Sequence, residues 1–186
     1  VSARGITLRR AHAEDAGAIA RVRIDGWRNA YRGQMPQAYL DAMSVAASLP
    51  MWERVLAAPN DRVTVYVAER EGAVAGFAAG NRLDEPKHGF DAELTAIYLD
   101  LNVQRQGLGR RLVGAVAADR IAQGATGLIS WVLASHAPGR RFCEALGADL
   151  VLEQPFEWDG IPLFEAGYGW RDPAALVAAT GFKALH

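Results

Sequence analysis

The chain has 186 residues, 51% hydrophobic and 22% charged, with 20 basic against 21 acidic side chains and a formal net charge of −1. This is enough for one domain with a sizeable core, and the balanced charge carries no nucleic-acid footprint. The single cysteine, Cys143, excludes an internal disulfide. No apolar run reaches the about 18 residues of a membrane span and the start lacks a signal-peptide order, so a soluble cytoplasmic protein is expected.

Residues 5–10 alternate as a short strand. Asp15 precedes an apolar-periodic run toward Trp27, which predicts a helix starting near that residue. Gly33 and Pro36 punctuate a break from Tyr31 to Pro36. Gln37 to Met43 and Ser44 to Ala57 read as helical, with Ser48 and Pro50 suggesting a cap and a first-turn proline. Val63 to Ala68 and Val74 to Ala79 read as strands joined at Glu71-Gly72, with Gly76 and Gly80 weakening or bulging the second. Asp84 to Gly89 reads as a polar loop before a strand over 91–100.

A helix is predicted over 107–123, ended by Gly124. An apolar strand from Gly127 to Leu133 follows, then a short helix over 138–146 closed by Gly147. Strands near 149–158 and 161–171 pair through Asp159-Gly160, and Pro173 to Gly181 reads as a short helix. The order βαα-βββ-α-β-α-ββ predicts an α/β protein with a mixed sheet and helices on both faces.

Between the strand ending near Leu99 and the helix beginning near Arg110 lies Gln104-Arg-Gln-Gly-Leu-Gly109. A strand, a glycine turn and a helix N-terminus make an anion site, because the first helical N–H groups lack partners and the helix dipole favours negative charge. Gly107 and Gly109 are expected to let that backbone approach a phosphate or pyrophosphate. A P-loop would need Gly-Lys-Ser/Thr, and Gly109 is followed by Arg110-Arg111. A dinucleotide turn would need a third glycine where Leu112 stands and an acidic residue ending the next strand, which the segment Ile129 to Trp131 lacks.

The pattern Q-x-x-G-x-G resembles the acetyl-CoA motif of the GCN5-related N-acetyltransferase (GNAT) superfamily. Ile97-Tyr98-Leu99-Asp100 is similar to the strand end that precedes it there, with Leu101 in place of the usual proline. Phe142-Cys-Glu-Ala-Leu-Gly147 is similar to that family's Phe-Tyr-Glu-x-Leu-Gly segment. Ile6 to Ala11 with Asp15 resembles its first strand and helix cap, and Trp158-Asp-Gly-Ile with Tyr168-Gly-Trp170 its closing hairpin and strand. The resemblance covers residues 5–171 of a single domain spanning 1–186, leaving 172–186 as a tail. It implies a mixed, mostly antiparallel central sheet flanked by helices, with the parallel strands 91–100 and 127–133 splayed around the cofactor.

The resemblance implies acetyl transfer from acetyl-CoA to a primary amine of a small molecule or peptide, by direct attack. Ile97, Tyr98 and Leu99 would bind the pantetheine arm through their main chain. The amides of Arg105, Gln106, Gly107, Leu108, Gly109 and Arg110 would hold the pyrophosphate, with Gln104 bracing the loop. His136, where the family often has Asn, is either a further cofactor contact or a solvated loop residue. Basic clusters at Arg105, Arg110 and Arg111 and at Arg140 and Arg141 are either solvated helix surface or partners of the coenzyme's charges.

Alternation puts Glu93, Thr95, Ile97 and Leu99 on one strand face. Glu93 is then either the base that takes the amine proton through water or a solvent-facing strand-end carboxylate. The family's proton-donating Tyr position holds Cys143 here, which is either a weak acid or a small buried hydrophobe. Tyr168 is the other donor candidate, and the thiolate can also leave without an acid. Trp27 and Tyr31, four apart on one helix face and joined by Met35, either wall the acceptor pocket or pack in the core. Asp84 and Glu85 either attract a cationic amine or are solvated. Trp131, Trp158 and Trp170 read as core or dimer contacts, and a homodimer is consistent with an exposed aromatic hairpin near Trp158. No metal, nucleic acid or membrane partner is expected. The alternative is a non-catalytic acyl-CoA-binding module, which the replacement of Tyr by Cys143 favours.

Overall fold

The computed structural model describes residues 5–183. Its elements are β1 (Ile6–Arg10), α1 (Ala16–Ala30), α2 (Gln37–Ala42), α3 (Val45–Ala57), β2 (Val63–Arg70), β3 (Ala73–Lys87), β4 (Phe90–Leu99), α4 (Leu108–Ala122), β5 (Leu128–Leu133), α5 (Ala137–Ala145), β6 (Asp149–Trp158), β7 (Ile161–Trp170) and α6 (Pro173–Thr180). The strands form one seven-stranded sheet in the order β1-β2-β3-β4-β5-β7-β6. Only the β4–β5 neighbours run parallel. This is the mixed sheet flanked by helices that the element order predicts, and the mostly antiparallel one that the resemblance implies. No helix among the described residues is long and apolar enough to cross a membrane.

The two faces carry separate cores. On one face Leu112, Val113, Val116 and Ala117 of α4 and Leu176 of α6 pack on Leu94, Leu128 and Ala166. On the other, Ala16, Ile19 and Ala20 of α1 and Trp52 of α3 pack on Val65, Val67 and Phe77. Asp15 does precede α1, but its carboxylate makes no cap bond to that helix. It turns back to accept from both Arg9 guanidinium nitrogens, at 2.7 and 2.9 Å, and from the His12 amide at 2.7 Å. The Arg9 bonds come first among the causes that hold its carboxyl below the usual range.

Local signals misread two boundaries. Ser44, not Ser48, caps α3, its Oγ accepting from the Ala47 amide at 3.1 Å, and Pro50 lies inside the helix and not in its first turn. The polar segment 84–89 is not a loop. β3 continues to Lys87, and His88-Gly89, with φ of 54° and 86°, turns the chain directly into β4. Two left-handed residues match the twist of a tight hairpin.

β4 carries the feature that shapes the cleft. Ala79 pairs with Ala96 but Gly80 pairs with Leu94, so Thr95 is an extra residue in the ladder. Such a bulge resets the alternation of side chains. Ala92, Leu94, Ile97 and Leu99 face the α4 core, while Ala96 and Tyr98 pack on the α1 side. Glu93 therefore does not share a face with Ile97 and Leu99. That expectation assumed an unbroken period of two.

β4 and β5 are in register only at Ala92↔Leu128 and Glu93↔Ile129. Beyond these pairs β4 stays with β3 while all of β5 stays with β7. The seam opens as a V, and its open end points toward the Gln104–Gly109 turn.

Candidate functional site

The V holds a cleft of about 510 Å³. One wall is the second half of β4 with the turn that follows. The other is β5 and the start of α5, and the end of α1 closes one side. Ser130 on β5 is buried and donates from Oγ to the Leu94 carbonyl at 2.9 Å, tying the strands where their pairing ends. No sequence pattern marked Ser130, because its importance comes from where β4 stops pairing.

At the mouth, the consecutive main-chain N–H groups from Arg105 to Arg110 have no hydrogen-bond acceptor among the described residues. The first amide bonded to the turn is Arg111, donating to the Gly107 carbonyl at 3.2 Å. These free donors sit at the positive end of α4, a fit for a phosphorylated coenzyme. The two glycines serve differently. Gly107 adopts φ of 76°, and a Cβ on it would meet nothing within 4 Å, so it is needed for the left-handed backbone. A Cβ on buried Gly109 would stand 3.4 Å from Phe142 Cε2 and 3.5 Å from Leu99 Cδ1. These are ordinary contact distances, so a methyl group at Gly109 would touch the cleft wall and only a larger side chain would press on it. Gln104 Nε2 donates to the Leu99 carbonyl at 3.0 Å, which braces the turn against β4.

Ile97, Tyr98 and Leu99 all border the cleft. So does His136, whose ring stands edge-on to Tyr31 with centroids 5.4 Å apart. Its Nδ1 is enclosed and has no partner among the described residues. Burial, then the Arg141 charge, holds the imidazole below its ordinary pKa. Cys143 borders the cleft from α5 and is buried, which pushes its thiol up to about 12.

Of the three residues expected to handle protons, two, Tyr168 and Glu93, stand outside the cleft lining. Tyr168 is fully buried, donates to Glu144 Oε1 at 2.7 Å and accepts from Arg140 Nε at 3.1 Å. Glu93 lies at the closed end of the V, on the opposite strand face from Leu94. Burial raises its carboxyl pKa, the Lys87 charge opposes that shift and the Glu165 charge adds to it.

The aromatic pair divides. Tyr31 lines the cleft, and the Trp27 ring lies 4.9 Å from it, buried with Met35 and Leu40. The Trp158 ring lies tilted with its centroid 5.1 Å from that of Trp27 and donates from Nε1 to the Tyr39 hydroxyl, so it packs inward and is not an exposed hairpin aromatic. Gly26, unremarked in the helical pattern, lets α1 approach β4: a Cβ on it would lie 2.4 Å from Tyr98 Cδ1. Ser135 Oγ donates to Gln34 Oε1 at 2.6 Å and bridges β5–α5 to the segment after α1. Asp84 is engaged by Arg62 at 2.9 Å, and Arg140 by Tyr168, the Ala134 carbonyl and Glu153.

The Acetyltransferase (GNAT) family pattern matches residues 24–148. The uncharacterized N-acetyltransferase YuaI of Bacillus subtilis (strain 168) is 36% identical over 172 residues, 92% of this chain and 96% of that protein. The PaiA N-acetyltransferase of Thermoplasma acidophilum, solved in complex with coenzyme A, superposes with a TM-score of 0.66 at 18% identity, covering 87% of this chain and 97% of the other. YncA of Salmonella typhimurium, solved with its cofactor acetyl-CoA, gives 0.67 at 19% identity, covering 89% and 92%. At such identities the solved structures speak to the fold.

Proposed function

The chain belongs to the GNAT family of acetyltransferases, and we propose on that footing that it moves the acetyl group of acetyl-CoA to a primary amine of a small molecule or peptide by direct attack. The observation that carries this reading is the row of unbonded amides from Arg105 to Arg110 at the mouth of a V-shaped cleft. Bound acetyl-CoA supplies an activated acyl carbon and a thiol leaving group.

The chain's own groups divide the work. The amides and the α4 dipole hold the diphosphate. Gln104 fixes the Leu99 carbonyl, and the β4 edge at Ile97, Tyr98 and Leu99, unpaired on its β5 side, offers main-chain groups to the pantetheine arm. Tyr31, backed by Trp27, walls the acceptor side.

Direct attack is favoured over an acetyl-cysteine because the only cysteine has its thiol at about 12 and is almost never a thiolate near neutrality. The same shift makes Cys143 a weaker acid than the coenzyme thiol, whose pKa is about 8.5. The Tyr168 hydroxyl donates to Glu144. The thiolate therefore leaves without a dedicated acid from either residue. Glu93, outside the cleft lining, is placed to attract a cationic acceptor more than to touch its nitrogen. In this reading the chain is one cytoplasmic catalytic domain. Any homodimer would use apolar surface such as Phe164 on β7, 62% exposed, and not Trp158.

Incubation with acetyl-CoA and a panel of primary amines, followed by thiol release and mass of the product, tests the proposal. An acetylated amine is the expected result. Tight acetyl-CoA binding with no turnover on any amine would instead support the acyl-CoA-binding module, the reading that Cys143 in place of a tyrosine favours.

A further inference from the structure

Acetyl transfer to an amine needs a group that accepts a proton at the reacting nitrogen, and this inference rests on that reading. Among the described residues no carboxylate lines the cleft. Its titratable side chains are Tyr31, Tyr98, Arg105, His136 and Cys143. Burial lifts both phenols above their ordinary range and takes the thiol to about 12, so all three are protonated near neutral pH. Arg105 is a cation. Ser130 gives its proton to the Leu94 carbonyl.

His136 differs from all of them. It sits at the N-terminal cap of α5, its ring over Gly139, where a Cβ would fall 2.6 Å from Cδ2. Tyr31, at the C-terminal cap of α1, stands edge-on to it, and the Ser135–Gln34 bridge holds the preceding residue to the same side of the cleft. Among the described residues Nδ1 is enclosed without a partner, whereas Nε2 is neither enclosed nor hydrogen-bonded. Tyr31, just past α1, faces the ring, the Arg141 charge on α5 acts on it, and the other titratable groups of the same cleft are Tyr98 on β4, Arg105 in the turn and Cys143 on α5. None is an anion at neutral pH, so nothing beside it favours an imidazolium.

We propose that His136, through Nε2, is the base that takes the proton from the acceptor amine. As the nitrogen–carbon bond forms, the carbon–sulfur bond breaks and sulfur leaves with its electron pair. The proton released from nitrogen passes to Nε2 and then to solvent. This role differs from the cofactor contact expected of this position, and Asn separates the two: it keeps a hydrogen-bonding amide and cannot take a proton.

The test is His136→Asn, read in two ways. Without any ligand, the wild-type imidazole resonance, assigned by its loss in the variant, should titrate below the ordinary histidine midpoint of about 6.5 and shift when the amine is added. In turnover, the wild-type kcat/KM, expressed per neutral amine so that the substrate's own protonation is removed, should fall on the acidic side. His136→Asn should lose that limb and drop about 100-fold or more, with its acetyl-CoA melting shift retained, while Glu93→Gln should keep the limb. An acidic limb that persists in His136→Asn, a loss under about threefold, or a resonance indifferent to the amine overturns the proposal. If the wild type acetylates no amine yet binds acetyl-CoA, the acetyl-transfer reading falls first and takes this one with it.

Discussion

Along the wall that runs from β4 into α4, a continuous row of main-chain groups is offered to the cleft beside the Tyr98 and Arg105 side chains: the amides from Arg105 to Arg110 and the β4 edge through Leu99. Across from it, at the end of α1 and on β5 and α5, the groups offered are side chains: Tyr31, Ser130, His136 and Cys143. A main-chain wall needs only a strand end, a left-handed residue and a helix start in the right order. A side-chain wall needs several elements brought to fixed distances, and each residue on it depends on packing behind it, as Tyr31 depends on Trp27. The first wall therefore fits one diphosphate chemistry, while the second can change its acceptor by changing side chains.

The largest effect should come from breaking the main-chain wall at one backbone angle. Gly107 holds φ of 76°, and Gly107→Val puts a β-branched residue in the left-handed region, at a cost of about 1–3 kcal/mol. The turn should rearrange and the amides lose their common aim. Acetyl-CoA affinity by calorimetry should fall about 10- to 100-fold, with the fold retained by circular dichroism. A variant that binds normally would mean the amide row is not the coenzyme's site.

The side-chain wall should break next, through overpacking. In Gly26→Leu the new side chain must displace Tyr98, whose Cδ1 lies 2.4 Å from the Cβ position. A cost of about 1–3 kcal/mol is expected, seen as a lower Tm. Because Tyr31 directly follows α1 and moves with its end, the KM for the amine should rise more than that for acetyl-CoA. Equal rises would show that the two walls are not separable.

The same contrast explains what the sequence made legible. The strand–glycine–helix segment 104–109, the hairpin turns at Glu71-Gly72 and Asp159-Gly160, and the mixed sheet are written in local spacing, and each forms as expected. The face of Glu93 was not legible, since the extra residue Thr95 arises from how β4 pairs with β3. Nor was the burial of Tyr168 between Glu144 and Arg140, which depends on α5 packing over β7. Ser130 carried no signal, because a serine in an apolar strand acquires its role only where the neighbouring strand departs.

Ser130 joins the two walls, and its loss should be milder. Ser130→Ala removes the hydrogen bond to the Leu94 carbonyl in a buried setting, about 1–2 kcal/mol. Chemical denaturation should show the loss, and acetyl-CoA affinity should weaken only a fewfold as the seam loosens. Affinity unchanged alongside full loss of stability would place the tie in the core and not in the cleft.

The smallest effect concerns Cys143, which the sequence left between acid and core residue. Burial penalises the thiolate and pushes the folded thiol up from an ordinary 9.0 to about 12. The folded state thus holds this proton more tightly than the unfolded chain. Stability from the protonated thiol is fully present below the ordinary value and is lost as pH rises from there toward about 12. Between neutrality and about pH 9.5 the loss should stay under about 1 kcal/mol. Tyrosines and lysines titrate over the same range, so the measurement is a difference: Tm should fall slightly less over that interval in Cys143→Ala than in the wild type. Alkylation of the native thiol at about pH 8 should be slow, since its thiolate fraction would be on the order of one in ten thousand. Fast alkylation, or a variant whose pH dependence matches the wild type, would mean that Cys143 is open to the cleft and would return it to the list of proton donors.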